Sequence, residues 1–148
     1  RRQRQMCIRD SGWTGAGMSF VLGGVIGTLL AIFPHVWIPV FTDDPMVYET
    51  AKGFIQIVGP CLAIHGVGWA LYFASQGAGA MRGPVAALIA RPIVAIGTAF
   101  LLLGPMDMGM TGVFIGAVGG MFAYTVIVTA SMKGGAWRRQ IPASPAQT

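Results

Sequence analysis

Four side chains able to hydrogen-bond or stack fall on one line within an otherwise apolar stretch. His65, Trp69, Tyr72 and Gln76 are spaced i, i+4, i+7 and i+11, so on a helix they share one narrow face. Polar groups at membrane depth are costly and need a partner or a purpose. Two readings follow for this face. It is either the wall of a cavity that contacts aromatic or cationic small molecules through cation–π attraction from Trp69 or Tyr72, or a buried hydrogen-bonded stripe or aromatic girdle against lipid. His65 carries the one side chain in this stretch whose ordinary pKa lies near neutrality. It is therefore a candidate for proton coupling, the alternative being a neutral histidine bonded to a neighbouring helix. Arg91 is the second point of interest, about 12 Å of helix rise inward from Gly83. It can snorkel to the headgroups on its long stem, or face the bundle interior and pair there with an acid or with carbonyls near Pro92. None of these residues forms a nucleophile–base pair, a carboxylate dyad or a metal-ligand spacing. All five acids, Asp10, Asp43, Asp44, Glu49 and Asp107, fall in expected arms or loops, so neither catalysis nor a resident metal is expected.

The elements that position these residues are membrane spans. Of the 148 residues, 54% are hydrophobic and 10% charged, far fewer charges than the roughly 25% of ordinary globular chains. No charge occurs between Asp10 and Asp43, between Lys52 and Arg82, or between Asp107 and Lys133. Each gap exceeds the ~20 residues a helix needs to cross a bilayer. A fourth apolar stretch, 83–105, is interrupted only by Arg91. The pattern predicts helices over about 13–37, 53–75, 84–103 and 110–132, preceded by a basic arm, 1–12, and followed by a disordered tail, 133–148.

Local signals refine these spans. Trp13 and Trp37 bracket the first at about 36 Å, a spacing suited to two headgroup levels. Gly15, Ser19, Gly23 and Gly27 recur every fourth residue and predict close helix packing, as do Gly112, Gly116 and Gly120. Thr42-Asp43-Asp44-Pro45 reads as a helix start, with an Asp capping free amides and Pro45 at the first helical position. Pro60 predicts a kink in the second span. Ala63, Gly66, Ala70 and Ala74 place a small-residue face well away from the His65 face. The Gly-rich stretch 75–84 lacks a Walker lysine and a preceding strand, so it reads as a tight turn between helices rather than a phosphate cradle.

The net charge of +5 does not imply a nucleic-acid partner, because the basic residues are dispersed with no aromatics interleaved. They alternate instead: Arg1, Arg2, Arg4 and Arg9 precede the first span, Arg82 lies between the second and third, and Lys133, Arg138 and Arg139 follow the fourth, while the other two connections carry Asp43, Asp44 and Glu49 with only Lys52, and then Asp107 alone. The positive-inside rule then places both termini in the cytoplasm. Cys7 and Cys61 fall at different depths and are not expected to pair.

The run Val40-Phe41-Thr42-Asp43-Asp44-Pro45, followed by Ile55-Gln56-Ile57-Val58-Gly59-Pro60 and Ala70-Leu71-Tyr72-Phe73-Ala74-Ser75-Gln76-Gly77-Ala78-Gly79, resembles the multidrug and toxic compound extrusion (MATE) family. The likeness runs over about 12–132 and matches the ninth to twelfth helices of those transporters. The resemblance implies an all-α integral membrane fold. Four transmembrane helices would belong to a six-helix lobe of a twelve-helix, two-lobe antiporter working by alternating access. It also implies export of cationic or aromatic compounds driven by a proton or sodium, with no organic cofactor, and an N-terminal part of the same transporter as partner, in the plasma (bacterial inner) membrane. One departure stands out. Some members carry an acidic cation ligand on the helix matching 53–75, and here that neighbourhood is His65-Gly66-Val67-Gly68. Alternatives are a flippase of lipid-linked saccharides from the same superfamily, whose cavity would carry several basic residues, and a small four-helix structural or assembly membrane protein.

Overall fold

The computed structural model describes residues 2–134, so the tail from 135 onward lies outside the described residues. It is all-helical there. The elements are α1 (Arg2–Ile32), a single turn α2 (Pro34–Trp37), a 3-10 turn (Ile38–Val40), α3 (Pro45–Val58), α4 (Leu62–Gly77), α5 (Arg82–Leu103) and α6 (Gly109–Lys133). Three helices are long and apolar enough to cross a membrane, over Asp10–Ile32, Arg82–Leu103 and Gly109–Lys133. The bent pair α3 and α4 makes a fourth if it is taken as one span.

The first helix differs from the expected 13–37 at both ends. It begins at Arg2, because the arm holds good helix formers such as Arg, Gln and Met and no breaker. It stops at Ile32 because Pro34 disfavours a helical residue before it, and Phe33 indeed sits at φ −115, ψ 53. Trp37 consequently belongs to α2 rather than to the first span.

The second expected span, 53–75, is two helices. Asp44 caps α3: its Oδ1 accepts from the Met46 amide at 2.8 Å, and Pro45 takes the first helical position. The span then breaks at 59–61 with a bend of 65°. Pro60 removes one backbone donor. Gly59 lies so close to Gly27 of α1 that a Cβ at Gly27 would overlap its carbonyl. The break thus sits where α1 and the α3–α4 joint touch backbone to backbone.

Packing runs in a row, α1 on α4, α4 on α6, α6 on α5, with α3 against α1 and α6. The small face of α4 meets the small stripe of α1. A Cβ at Gly23 would come within 2.7 Å of the Leu62 carbonyl oxygen, and one at Gly66 within 2.9 Å of that of Ser19. The α5–α6 seam is as tight, since Cβ atoms at Gly116 and Gly120 would meet the Ala95 and Arg91 carbonyl oxygens at 2.6 and 2.7 Å. Small residues let helices approach this closely in lipid, where the hydrophobic effect no longer drives association. The turn between α4 and α5 closes through Gly79 at φ +72, a left-handed conformation that glycine adopts without steric cost. Ala16, Leu71, Ala87, Tyr124, Val128 and Met132 form the buried core. At the same end Lys133 Nζ lies 5.6 Å from the Trp13 ring centroid, so α1 and α6 meet there.

The outer helices stay open. Met18, Leu22, Ile26 and Ile32 of α1 and Ile93, Ile96, Phe100 and Leu101 of α5 are exposed. In water such surfaces would aggregate; in a bilayer they face lipid or further helices.

Candidate functional site

His65 stands one turn beyond the 65° bend, on the side of α4 that faces α6. It is 7% exposed. Trp69 Nε1 donates to its Nε2 at 2.9 Å, and the Tyr124 ring stands edge-on at 5.5 Å. His65 Nδ1 and Tyr124 Oη are both buried, and neither has a hydrogen-bond partner among the described residues. Beside them, Thr125 Oγ1 reaches across from α6 to the Ile64 carbonyl at 3.1 Å and also lies 3.0 Å from its own Met121 carbonyl. Gly68 makes this approach possible, because a Cβ there would stand 2.8 Å from both Thr125 Oγ1 and the Tyr124 ring.

The four residues of the sequence pattern form a ladder of i, i+4 contacts. The Trp69–His65 bond is its inner rung. Its outer rung is Gln76 Nε2 donating to Tyr72 Oη at 3.0 Å. Trp69 links the two, with its ring centroid 5.8 Å from Tyr72, 5.8 Å from Phe73 and 6.1 Å from Tyr124. His65 is buried in the seam, Trp69 and Gln76 are exposed, and Tyr72 is between. The ladder therefore runs from a buried polar pair to an open aromatic surface.

Arg91 is half-buried on α5 and is not in the ladder. Its backbone carbonyl lies in the α5–α6 seam, where a Cβ at Gly120 would approach it to 2.7 Å. No acid pairs with Arg91 among the described residues, where the one ion pair is Lys52–Glu49. Nor does any group of three His, Cys, Asp or Glu there converge as metal ligands would.

Tyr124 and Thr125 are missing from the sequence reading. Tyr124 is fully buried at mid-helix, a position where a hydroxyl needs explaining, and that was the available signal. The glycines of α6 drew attention to packing instead.

Two open grooves lie away from this site. One of about 570 Å³ runs between α1 and α4 past Ser11, Gly15, Ser19, Ala70 and Ala74. Another of about 470 Å³ lies along α1 at Phe20, Gly24 and Thr28.

The MatE family model matches residues 8–101. This chain belongs to the MatE family. No curated protein and no solved structure matches it. The match takes in most of α1, all of α2 to α4, most of α5 and every residue of the ladder together with Arg91, while Tyr124 and Thr125 lie beyond it. As a MatE protein it is an integral membrane transporter.

Proposed function

We propose that this MatE chain contributes four helices to the C-terminal lobe of a cation-coupled multidrug efflux antiporter, and that the ladder face of α4 is part of its substrate-contacting wall. The observation that carries the proposal is the open aromatic surface of Trp69, Tyr72 and Phe73, contiguous with one buried histidine. Ring faces attract organic cations, most strongly where water is excluded. A histidine at that depth gives a proton a place to bind. Helices outside this chain would close the cavity, and the exposed faces of α1 and α5 give them a surface on which to dock. Alternating access would follow from rocking of one lobe against another. The placement of basic residues supports cytoplasmic termini, and the expected location is the plasma (bacterial inner) membrane. His65 is the candidate proton carrier on this face, while the coupling ion, proton or sodium, is left to the transport assay.

A second reading, transport of lipid-linked saccharides, is favoured by one feature only, the half-buried cation of Arg91 on α5. A phosphate-bearing lipid needs several such cations.

The test is drug resistance and substrate efflux in cells expressing the full-length protein. His65→Ala and Trp69→Ala should each reduce export while leaving expression in the membrane unchanged. Unchanged resistance in both variants would remove the cavity-wall reading.

A further inference from the structure

The Trp69 indole and a proton on His65 Nε2 compete for the same space. An indole nitrogen is a donor only, and Trp69 Nε1 ends 2.9 Å from His65 Nε2. The bond therefore uses the Nε2 lone pair, which leaves the proton of neutral His65 on Nδ1. If a proton from water takes that lone pair, the hydrogen bond is lost and both ring nitrogens become donors. Two N–H groups then confront each other at hydrogen-bond distance, and one side chain must turn. His65 has little room, being 7% exposed with Tyr124 at 5.5 Å. Trp69 is 38% exposed, and its outer side is open.

The groups facing the pair come from three helices. On α4 they are Trp69 and, one turn further, Tyr72, whose hydroxyl is engaged by Gln76. On α6 they are Tyr124 and Thr125, and on α5 Arg91. The α1 helix meets the opposite face of α4 through Gly12, Ser19 and Gly23. A proton on His65 thus adds a second positive charge near Arg91, with no acid among the described residues to pair with either.

We propose, resting on the substrate-wall role given to α4 above, that His65 and Trp69 form a proton-operated latch. Protonation of His65 at Nε2 releases the indole from the seam between α4 and α6. Trp69 stacks on Tyr72, Phe73 and Tyr124, so its release rearranges the aromatic surface and places a new positive charge behind it. Both effects weaken the hold on an organic cation, which is the sense an exchanger needs: the proton arrives and the cation leaves.

The test uses the full-length protein in lipid nanodiscs with Trp69 as its sole tryptophan, every other one replaced by phenylalanine. Acrylamide quenching of Trp69 is followed between about pH 5 and about pH 8, where a histidine titrates. An indole going from 38% to full exposure raises the quenching constant up to 100/38, or about 2.6-fold. We expect a rise toward that limit as pH falls, along one titration curve. In His65→Gln, whose side-chain oxygen accepts the indole N–H at any pH, the constant should stay flat. Accessibility that does not change with pH in the parent overturns the latch, as does an equal rise in His65→Gln. If the single-tryptophan protein fails to assemble, fluorine NMR of 5-fluorotryptophan in the otherwise unaltered protein reads the same motion, with the Trp69 signal assigned by its loss in Trp69→Phe. Drug transport is measured on the same preparations. Transport with a motionless indole overturns the latch and leaves the exporter standing, whereas a moving indole without drug transport supports the latch and removes the exporter.

Discussion

Gly120→Ala asks whether α5 and α6 are held together by backbone contact. A Cβ at this position would lie 2.7 Å from the Arg91 carbonyl oxygen and 2.9 Å from Ala95 Cβ. Carbon atoms pack best at about 3.5–4.0 Å, so the helices must part by at least roughly 0.6 Å to admit the methyl. The obstacle is backbone and a Cβ, neither of which can rotate away. Overpacking of this kind costs about 1–3 kcal/mol, against a gain of at most about 1 kcal/mol from the better helix propensity of Ala. Gly97, on α5, is the control, because a Cβ there meets nothing within 4 Å and only the propensity gain remains. The two variants should therefore differ by about 1–3 kcal/mol, with Gly120→Ala the less stable. The assay is the midpoint of thermal unfolding of purified full-length protein in detergent, read from loss of the monodisperse chromatographic peak. A Gly120→Ala protein as stable as Gly97→Ala would refute the close-contact account of this seam.

Three further outcomes are expected. Removing the α3 cap in Asp44→Ala should cost about 1 kcal/mol, and Asp44→Asn much less, measured as faster hydrogen exchange at the Met46 amide. Thr125→Val deletes the cross-helix bond to Ile64 and should lower the unfolding midpoint by the equivalent of about 0.6–1.7 kcal/mol, whereas Thr125→Ser should retain most of it. Arg91→Gln should impair assembly or transport, because Arg91 is half-buried on α5 at its seam with α6; a folded, fully active variant would mean that the guanidinium reaches the headgroups instead.

The membrane class was legible because it rests on the lengths of uncharged stretches, a property of the chain alone. The cap at Asp44 and the joint at Pro60 were legible for a related reason. Capping needs only a side-chain oxygen two residues from an amide, and proline removes its donor wherever it stands. The error at the first helix has an equally local cause. Tryptophans mark interfaces but do not hold a helix together, and Pro34 ended α1 before Trp37 could belong to it. The basic arm joins the span in one helix, because charged and polar residues such as Arg and Gln continue a helix readily.

The shared face of His65, Trp69, Tyr72 and Gln76 follows from helical geometry, so the sequence determined it without any partner. It determined equally that the small residues of α4 lie elsewhere on the helix, ready for a close neighbour. The identity of the neighbours was a tertiary matter. Helical periodicity fixes what lies on a face but not what that face meets, and nothing in the spacing of Tyr124 says that Gly68 clears room for it beside His65. A bond between helices requires that two chain segments far apart in sequence approach within about 3 Å, and only the packed bundle decides which ones do.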